Sequence, residues 1–206
     1  MKVSYGSVVI TAGIAGVLSF ALLTTALGTN YWYIIQTKRM NVSDFEDMSS
    51  HSGLWSTAEG EKMYTVTSDS FTADYSKYSE PEQRMLNMHG AIVVMLTLSL
   101  VLMLFGGIFG LVSSLARSSV LLTCTASHFF ICSLLTLCGA SLYIIYSHQA
   151  EEMVGEENLA HVHTSFGWSL GLAWLSYGLE LLTGLLLLTA AKMATRRNGN
   201  SRNNMG

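Results

Sequence analysis

The chain has almost no proline, one in 206 residues, which excludes a Pro-rich spacer and a collagen-like repeat. Cysteine is scarce as well. Three cysteines cannot build the disulfide-dense scaffold of a small secreted domain. Charged side chains make up 12% of the sequence, against roughly 25% in an average soluble domain. With a formal net charge of −3 there is no basic surplus to neutralise phosphates, so nucleic acid is not an expected partner. Apolar residues are abundant instead: half the chain is hydrophobic and the mean hydropathy is +0.39. This composition describes a membrane protein.

The gaps between charges locate the spans. After Lys2 the next Lys, Arg, Asp or Glu is Lys38. None lies between Arg84 and Arg117 or between Arg117 and Glu151, and Trp168 to Ala191 holds only Glu180. About 20 apolar residues cross a bilayer as a helix. The fold class is therefore a membrane all-α four-helix bundle, one domain over 1–206, with spans near 6–27, 89–111, 120–146 and 168–191. Loops cover about 28–88 and 147–167, and a tail covers 192–206. Ala26-Leu27-Gly28 offers a small-x-small cleavage site. The apolar stretch before it exceeds a signal core of about 7–15 residues and its basic start is weak, so it is read as a retained span.

Four spans put both termini on one side. Lys2, Arg117, Lys192, Arg196, Arg197 and Arg202 share that side, against Lys38, Arg39, Lys62, Lys77 and Arg84 in the long loop. The tail packs its bases densely while the long loop dilutes them, and short flanks weigh more than long loops. Both termini are therefore expected in the cytosol. Asn41-Val42-Ser43 is a glycosylation sequon in the loop this places outside. Tyr31, Trp32, Tyr33, Tyr143, Tyr146, Phe166 and Trp168 gather at the same face, as amphipathic rings do at headgroup depth.

The long loop predicts strands at 31–35, 54–57 and 63–67, with a turn at Glu59-Gly60-Glu61, hence a small extracellular antiparallel β-sheet around an insert near 41–50. Gly106 and Gly110 form G-x-x-x-G in the second span; Ala12/Gly16 and Gly167/Gly171 repeat the spacing. Small residues let backbones approach where lipid supplies no hydrophobic drive, either inside one bundle or at a seam for another protein.

Chemistry is sparse. Cys124, His128 and Cys132 recur every four residues, and His161-Val162-His163 lies in the short loop. Neither has the closed ligand set of a metal site. Glu151, Glu152, Glu156 and Glu157 read as a solvated loop face. No nucleophile–base pair, phosphate loop or catalytic carboxylate pair is present, so no catalysis, metal or cofactor is expected. Glu180 is a carboxylate at mid-span, and such groups face the protein and find a partner. His128 is the nearest candidate, being 11 residues inside Arg117 while Glu180 is 12 inside Lys192. The alternative is a Ser or Thr partner with Glu180 protonated.

Trp32, followed by Gly53-Leu54-Trp55 in the first outer loop, resembles the claudin-like superfamily: claudins, peripheral myelin protein 22 and its relatives, and calcium-channel gamma subunits. Met88-His89-Gly90 and Ser165-Phe166-Gly167-Trp168-Ser169 extend the resemblance, which runs from Ala12 to Ala191. It implies a left-handed four-helix bundle under an extracellular β-sheet, at the plasma membrane and without catalysis. In the gamma-subunit branch it implies an acid in the fourth helix, which Glu180 resembles. The family pattern continues Gly-Leu-Trp with two disulfide-bonded cysteines; here Ser56, Thr57 and Ala58 follow and the loop has no cysteine. Trp32 and Trp55 are therefore expected to pack together where sheet meets bundle. The expected function is a non-enzymatic membrane protein that binds others laterally, as an ion-channel auxiliary subunit does, with a cell-contact protein as the rival. Expected partners are the lipid bilayer, other integral membrane proteins such as an ion channel, and a second copy of the chain.

Overall fold

The structure is a computed structural model, and it describes residues 4–37, 49–59, 62–65, 71, 78–154 and 162–203. Its elements in chain order are α1 (Tyr5–Gly28), β1 (Tyr33–Thr37), β2 (Ser49–Ser52), β3 (Ser56–Glu59), β4 (Lys62–Thr65), α2 (Glu80–Ala116), α3 (Ser119–Val154), β5 (Val162–Phe166) and α4 (Trp168–Asn203). All four helices are long and apolar enough to cross a membrane.

Helices α2, α3 and α4 run past the apolar stretches that predict them. The start of α2 has a local cause in Ser79-Glu80-Pro81-Glu82. The Glu82 carboxylate accepts from both the backbone N–H and the hydroxyl of Ser79, each at 2.8 Å. Pro81 sits in the first turn, where its missing N–H is no loss. The helix thus begins nine residues before the expected His89.

The five strands form one sheet in the order β4-β3-β2-β1-β5, antiparallel throughout. The strand expected at 31–35 starts two residues later; that expected at 54–57 runs 56–59, and that at 63–67 runs 62–65. Two strands were not anticipated. β2 is Ser-Ser-His-Ser, with no β-branched or large apolar residue. β5 lies between α3 and α4 and pairs Val162 with Thr37 through Phe166 with Tyr33.

The chain forms two compact units where the sequence reading treats it as one. The helix unit holds α1 up to Thr24, Leu98–Leu137, and α4 from Trp174 onward. Ala12, Leu23, Leu122, Ala126, Cys132 and Ala190 are among its buried residues. Its small residues serve packing: Gly16 meets Thr183 and Phe129, and Gly184 meets Phe130. Ile10, Ile14, Val17, Leu104 and Ile108 are exposed, the pattern of a lipid-facing surface.

The sheet unit holds Thr25–Thr97 and Cys138–Ala173, including all five strands. Its core contains Trp32, Leu54, Ile92, Leu96 and Tyr143. Gly167 is the tightest point: a Cβ there would strike the backbone of Tyr31, and its N–H donates to Trp32 O at 2.9 Å. Gly171 meets no such neighbour, so the Gly167/Gly171 pair is not a helix–helix contact.

Glu151 corrects the expectation of a solvated acidic loop. It lies on α3, where it accepts from the hydroxyls of Tyr33 on β1 and Thr164 on β5, the latter at 2.8 Å. His148 Nδ1 lies 3.5 Å from its second oxygen. One carboxylate therefore ties two neighbouring strands to a helix. Burial, followed by the bond to Glu151, pushes the Tyr33 phenol up to about 12 from its ordinary 10.0. Folding thus favours the protonated phenol, and this contribution is complete below pH 10 and lost as pH rises toward 12. An alkaline titration of the sheet, followed by circular dichroism, is expected to show a loss of structure in that window that Tyr33→Phe removes. An identical alkaline profile for the variant would refute the tie.

Candidate functional site

The first cluster roots the sheet on the end of α1. The last four carbonyls of a helix have no partner within it. In α1 those of Thr25, Ala26 and Leu27 are met by side chains. Thr29 Oγ1 donates to Thr25 O at 2.8 Å, Trp32 Nε1 to Ala26 O at 2.7 Å, and Trp55 Nε1 to Leu27 O at 2.7 Å. The two indoles of the motif thus cap consecutive carbonyls of one helix end.

Each motif residue has a distinct task. Trp32 is fully buried and its ring tilts against Tyr143 at 4.8 Å. Gly53 lies against Asn30, whose Cα would be 2.7 Å from an added Cβ, so no larger residue fits without displacing backbone. Leu54 is fully buried, and its backbone is hydrogen-bonded by the buried His89 of α2. Trp55 caps α1 through its N–H and is 38% exposed.

Beside this root lies an exposed aromatic group. Tyr31 is 39% and Trp168 50% exposed, and their rings stack at 5.7 Å with 27° between planes. Tyr31 also meets His51 at 4.7 Å. Asn41 lies outside the described residues, as do Glu156, Glu157 and His161.

The second cluster is a hydroxyl network around Glu180, wholly within the helix unit. Glu180 is fully buried. Thr136 Oγ1 lies 3.1 Å from both carboxyl oxygens, and Ser176 Oγ donates to Oε1 at 3.1 Å. Thr136 Oγ1 is 2.7 Å from Ser99 Oγ, which also reaches Cys132 O at 3.1 Å. Ser176 Oγ is 2.9 Å from Ser19 Oγ, which reaches Ser176 O at 3.0 Å. Ser19, Ser99, Thr136 and the Ser176/Glu180 pair come from α1, α2, α3 and α4 respectively. A single connected network therefore joins all four helices.

The expected His128–Glu180 pair does not form. His128 Nε2 donates to Leu102 O at 2.7 Å. The error lay in the register. Arg117 and Lys192 mark the ends of apolar runs, not equal heights. Ser119 Oγ lies 2.6 Å from Thr195 Oγ1, so α3 and α4 align there. From that level Thr136 is 17 residues inward and Glu180 is 15, which brings them together. His128 is eight residues short of Thr136, about 12 Å along the helix at roughly 1.5 Å per residue.

His128 instead explains the glycine motif. A Cβ on Gly106 would lie 2.8 Å from His128 Cδ2 and 3.3 Å from Phe129. Gly106 makes room for the imidazole to reach α2, and Gly110 faces Thr125 one turn further on. The motif packs α2 against α3. The Cys124–His128–Cys132 stripe does not converge: Cys124 is exposed, Cys132 is buried, and His128 is engaged by Leu102. Among the described residues no group of three His, Cys, Asp or Glu side chains is placed to hold a metal.

A double-mutant cycle separates the two partnerships. Interhelical polar pairs in membranes couple by about 0.6 kcal/mol on average and up to about 1.7. Glu180→Leu with Thr136→Val is expected to show coupling in that range in a detergent melting assay. Glu180→Leu with His128→Leu is expected to be additive. Coupling to His128 and none to Thr136 would reverse the assignment.

Residues 17–189 match the family described as PMP-22/EMP/MP20/Claudin tight junction. The voltage-dependent calcium channel gamma-3 subunits of Rattus norvegicus and Homo sapiens are each 27% identical over 180 residues, which is 82% of this chain and 56% of theirs. The chain thus spans little more than half the length of those subunits. Four membrane-length helices with a small antiparallel sheet agree with this match. The chain is a multi-pass membrane protein and belongs to the PMP-22/EMP/MP20/claudin family.

Proposed function

We propose that this protein is a non-enzymatic component of the plasma membrane that binds another integral membrane protein from the side, in the manner of an ion-channel auxiliary subunit. Both termini face the cytosol and the sheet lies outside. The observation that carries this reading is the exposed aromatic group of Tyr31 and Trp168, held on a fixed scaffold beside the capped end of α1. Aromatic anchors of this kind dominate binding at protein interfaces. Two further features support it. The relatives are named as channel subunits. On α4, Leu175, Gly178, Leu182 and Leu185 form an exposed stripe at alternating spacings of three and four, and nothing lies within 4 Å of a Cβ on Gly178. A neighbouring helix can approach closely along such a stripe.

Crosslinking at the cell surface followed by purification tests this directly. The expected capture is an integral protein of the same membrane. Trp168→Ala is expected to reach the surface normally and to reduce capture by about 30-fold, the loss of an interface anchor worth roughly 2 kcal/mol. Capture of the same chain from an apposed cell would replace lateral binding with cell contact, the rival role.

Orientation and modification stand together in this reading, since Asn41 is a glycosylation acceptor only in an external loop. Glycosidase treatment is expected to lower the mass of the protein, and Asn41→Gln to abolish the shift. A C-terminal tag accessible on intact cells would overturn the orientation.

A further inference from the structure

Charge is divided unevenly between the two units. The residues of the helix unit include one acid, the buried Glu180, and the bases Lys2, Arg117, Lys192, Arg196, Arg197 and Arg202. The other described acids, Glu59, Glu80, Glu82, Glu151 and Glu152, belong to the sheet unit. Among the described residues the helix unit thus carries exposed bases and no exposed acid, an electrostatic footprint for an anion.

Arg117 and the bases of α4 are brought to one place. The hydroxyl contact between Ser119 and Thr195, at 2.6 Å, sets the turn between α2 and α3 beside the segment from Lys192 to Arg197. Arg117, Lys192, Arg196 and Arg197 are all exposed. The guanidinium carbon of Arg117 lies 5.8 Å from the centroid of the Tyr5 ring, and the Tyr5 hydroxyl donates to Ser114 O at 3.2 Å. The arginine is thus positioned by the start of α1 and the end of α2. Its backbone takes φ 48°, the one positive φ of a non-glycine residue among those described. Helix ends of this geometry favour glycine or asparagine. The turn itself therefore gives no reason for an arginine, and the reason lies in its side chain.

The surroundings of Arg117 are apolar. Leu115 is 85% and Val120 71% exposed, and Leu111, Val112 and Leu121 are exposed as well. These residues end or begin membrane-length helices, which places the cluster at headgroup depth. Cations set at the edge of an exposed apolar collar match a ligand with an anionic head and an apolar body. A free anion would use the cations and leave the collar untouched.

We propose that Arg117, Lys192, Arg196 and Arg197 bind the headgroup of an anionic glycerophospholipid, with its acyl chains lying on the apolar residues that flank the α2–α3 turn. The assignment of this lipid to the cytosolic leaflet rests on the orientation proposed above; the binding itself does not. Each base near an anionic membrane surface strengthens association roughly fivefold.

The test uses the full chain in phosphatidylcholine nanodiscs, with and without phosphatidylserine, reading the melting temperature and the phosphatidylserine retained through delipidation. Wild type is expected to retain the lipid and to melt higher with it. The variant combining Arg117→Gln and Arg196→Gln is expected to lose about 25-fold in retention. Arg84→Gln, in the outer loop, is expected to behave as wild type. Arg117→Gly is expected to melt no lower than wild type in phosphatidylcholine, since glycine relaxes the turn, yet to lose about fivefold in retention. Rising salt is expected to release the lipid from wild type. Equal retention by wild type and the double variant, retention indifferent to salt, or the same stabilisation by inorganic phosphate alone would overturn the proposal. A tag found outside intact cells would instead reverse the leaflet and leave the lipid result standing.

Discussion

A carbonyl without a hydrogen-bond donor is expensive wherever water is scarce, and a membrane helix that ends must find donors for its last turn. The end of α1 is the point where the sheet is tied to a helix, and the tie consists of meeting that demand. Thr29, Trp32 and Trp55 supply donors to three consecutive carbonyls. Trp32 comes from the approach to β1, and Trp55 from the turn between β2 and β3. Capping the helix therefore also sets the sheet's position over α1. An indole suits the task because its N–H is its only polar group and the rest of the ring fills apolar space. Gly53 lets the turn approach Asn30 closely enough for Trp55 to reach, and Leu54 anchors the turn in the core.

The same demand governs the carboxyl of Glu180. An acid in a helix bundle is satisfied by a cation or by hydroxyls. Here hydroxyls from α1, α2 and α3 are connected to it directly or through one neighbour. Serine and threonine are small enough to sit at close helix contacts and still present a donor. The network consequently adds interhelical bonds without holding the helices apart.

How much of this was legible follows from the range of each cause. Spans are visible because a run without charge is a local property, and all four were found. The helical start at Glu80 is equally local, written in Ser79-Glu80-Pro81-Glu82, but it is a capping signal that hydropathy does not register. Strands β2 and β5 have no local signature. Ser-Ser-His-Ser becomes a strand because β1 and β3 flank it. Depth along neighbouring helices was the least legible quantity. His128 and Glu180 look level when counted from the nearest bases, but bases follow the edge of the apolar run, while register is set by contacts such as Ser119 with Thr195. The tryptophans stand out in the sequence as a motif. That they act through their N–H groups on α1, and that Trp55 remains partly exposed, depends on a chain path that no spacing reveals.

The absence of cysteine in the outer loop then has a structural answer. A disulfide restrains by joining two strands of one sheet to each other. The substitutes found here join the sheet and its adjoining turns to helices instead: the indole caps on α1, His89 of α2 on the backbone of Leu54, and Glu151 of α3 on β1 and β5. The two kinds of restraint differ in consequence. A disulfide would hold the hairpin together even if it lifted from its helices. Ties to three separate helices hold the sheet only while it stays seated. Sheet order is thereby coupled to the segments of α1, α2 and α3 within the sheet unit, and whatever shifts them acts directly on the surface that carries Tyr31 and Trp168.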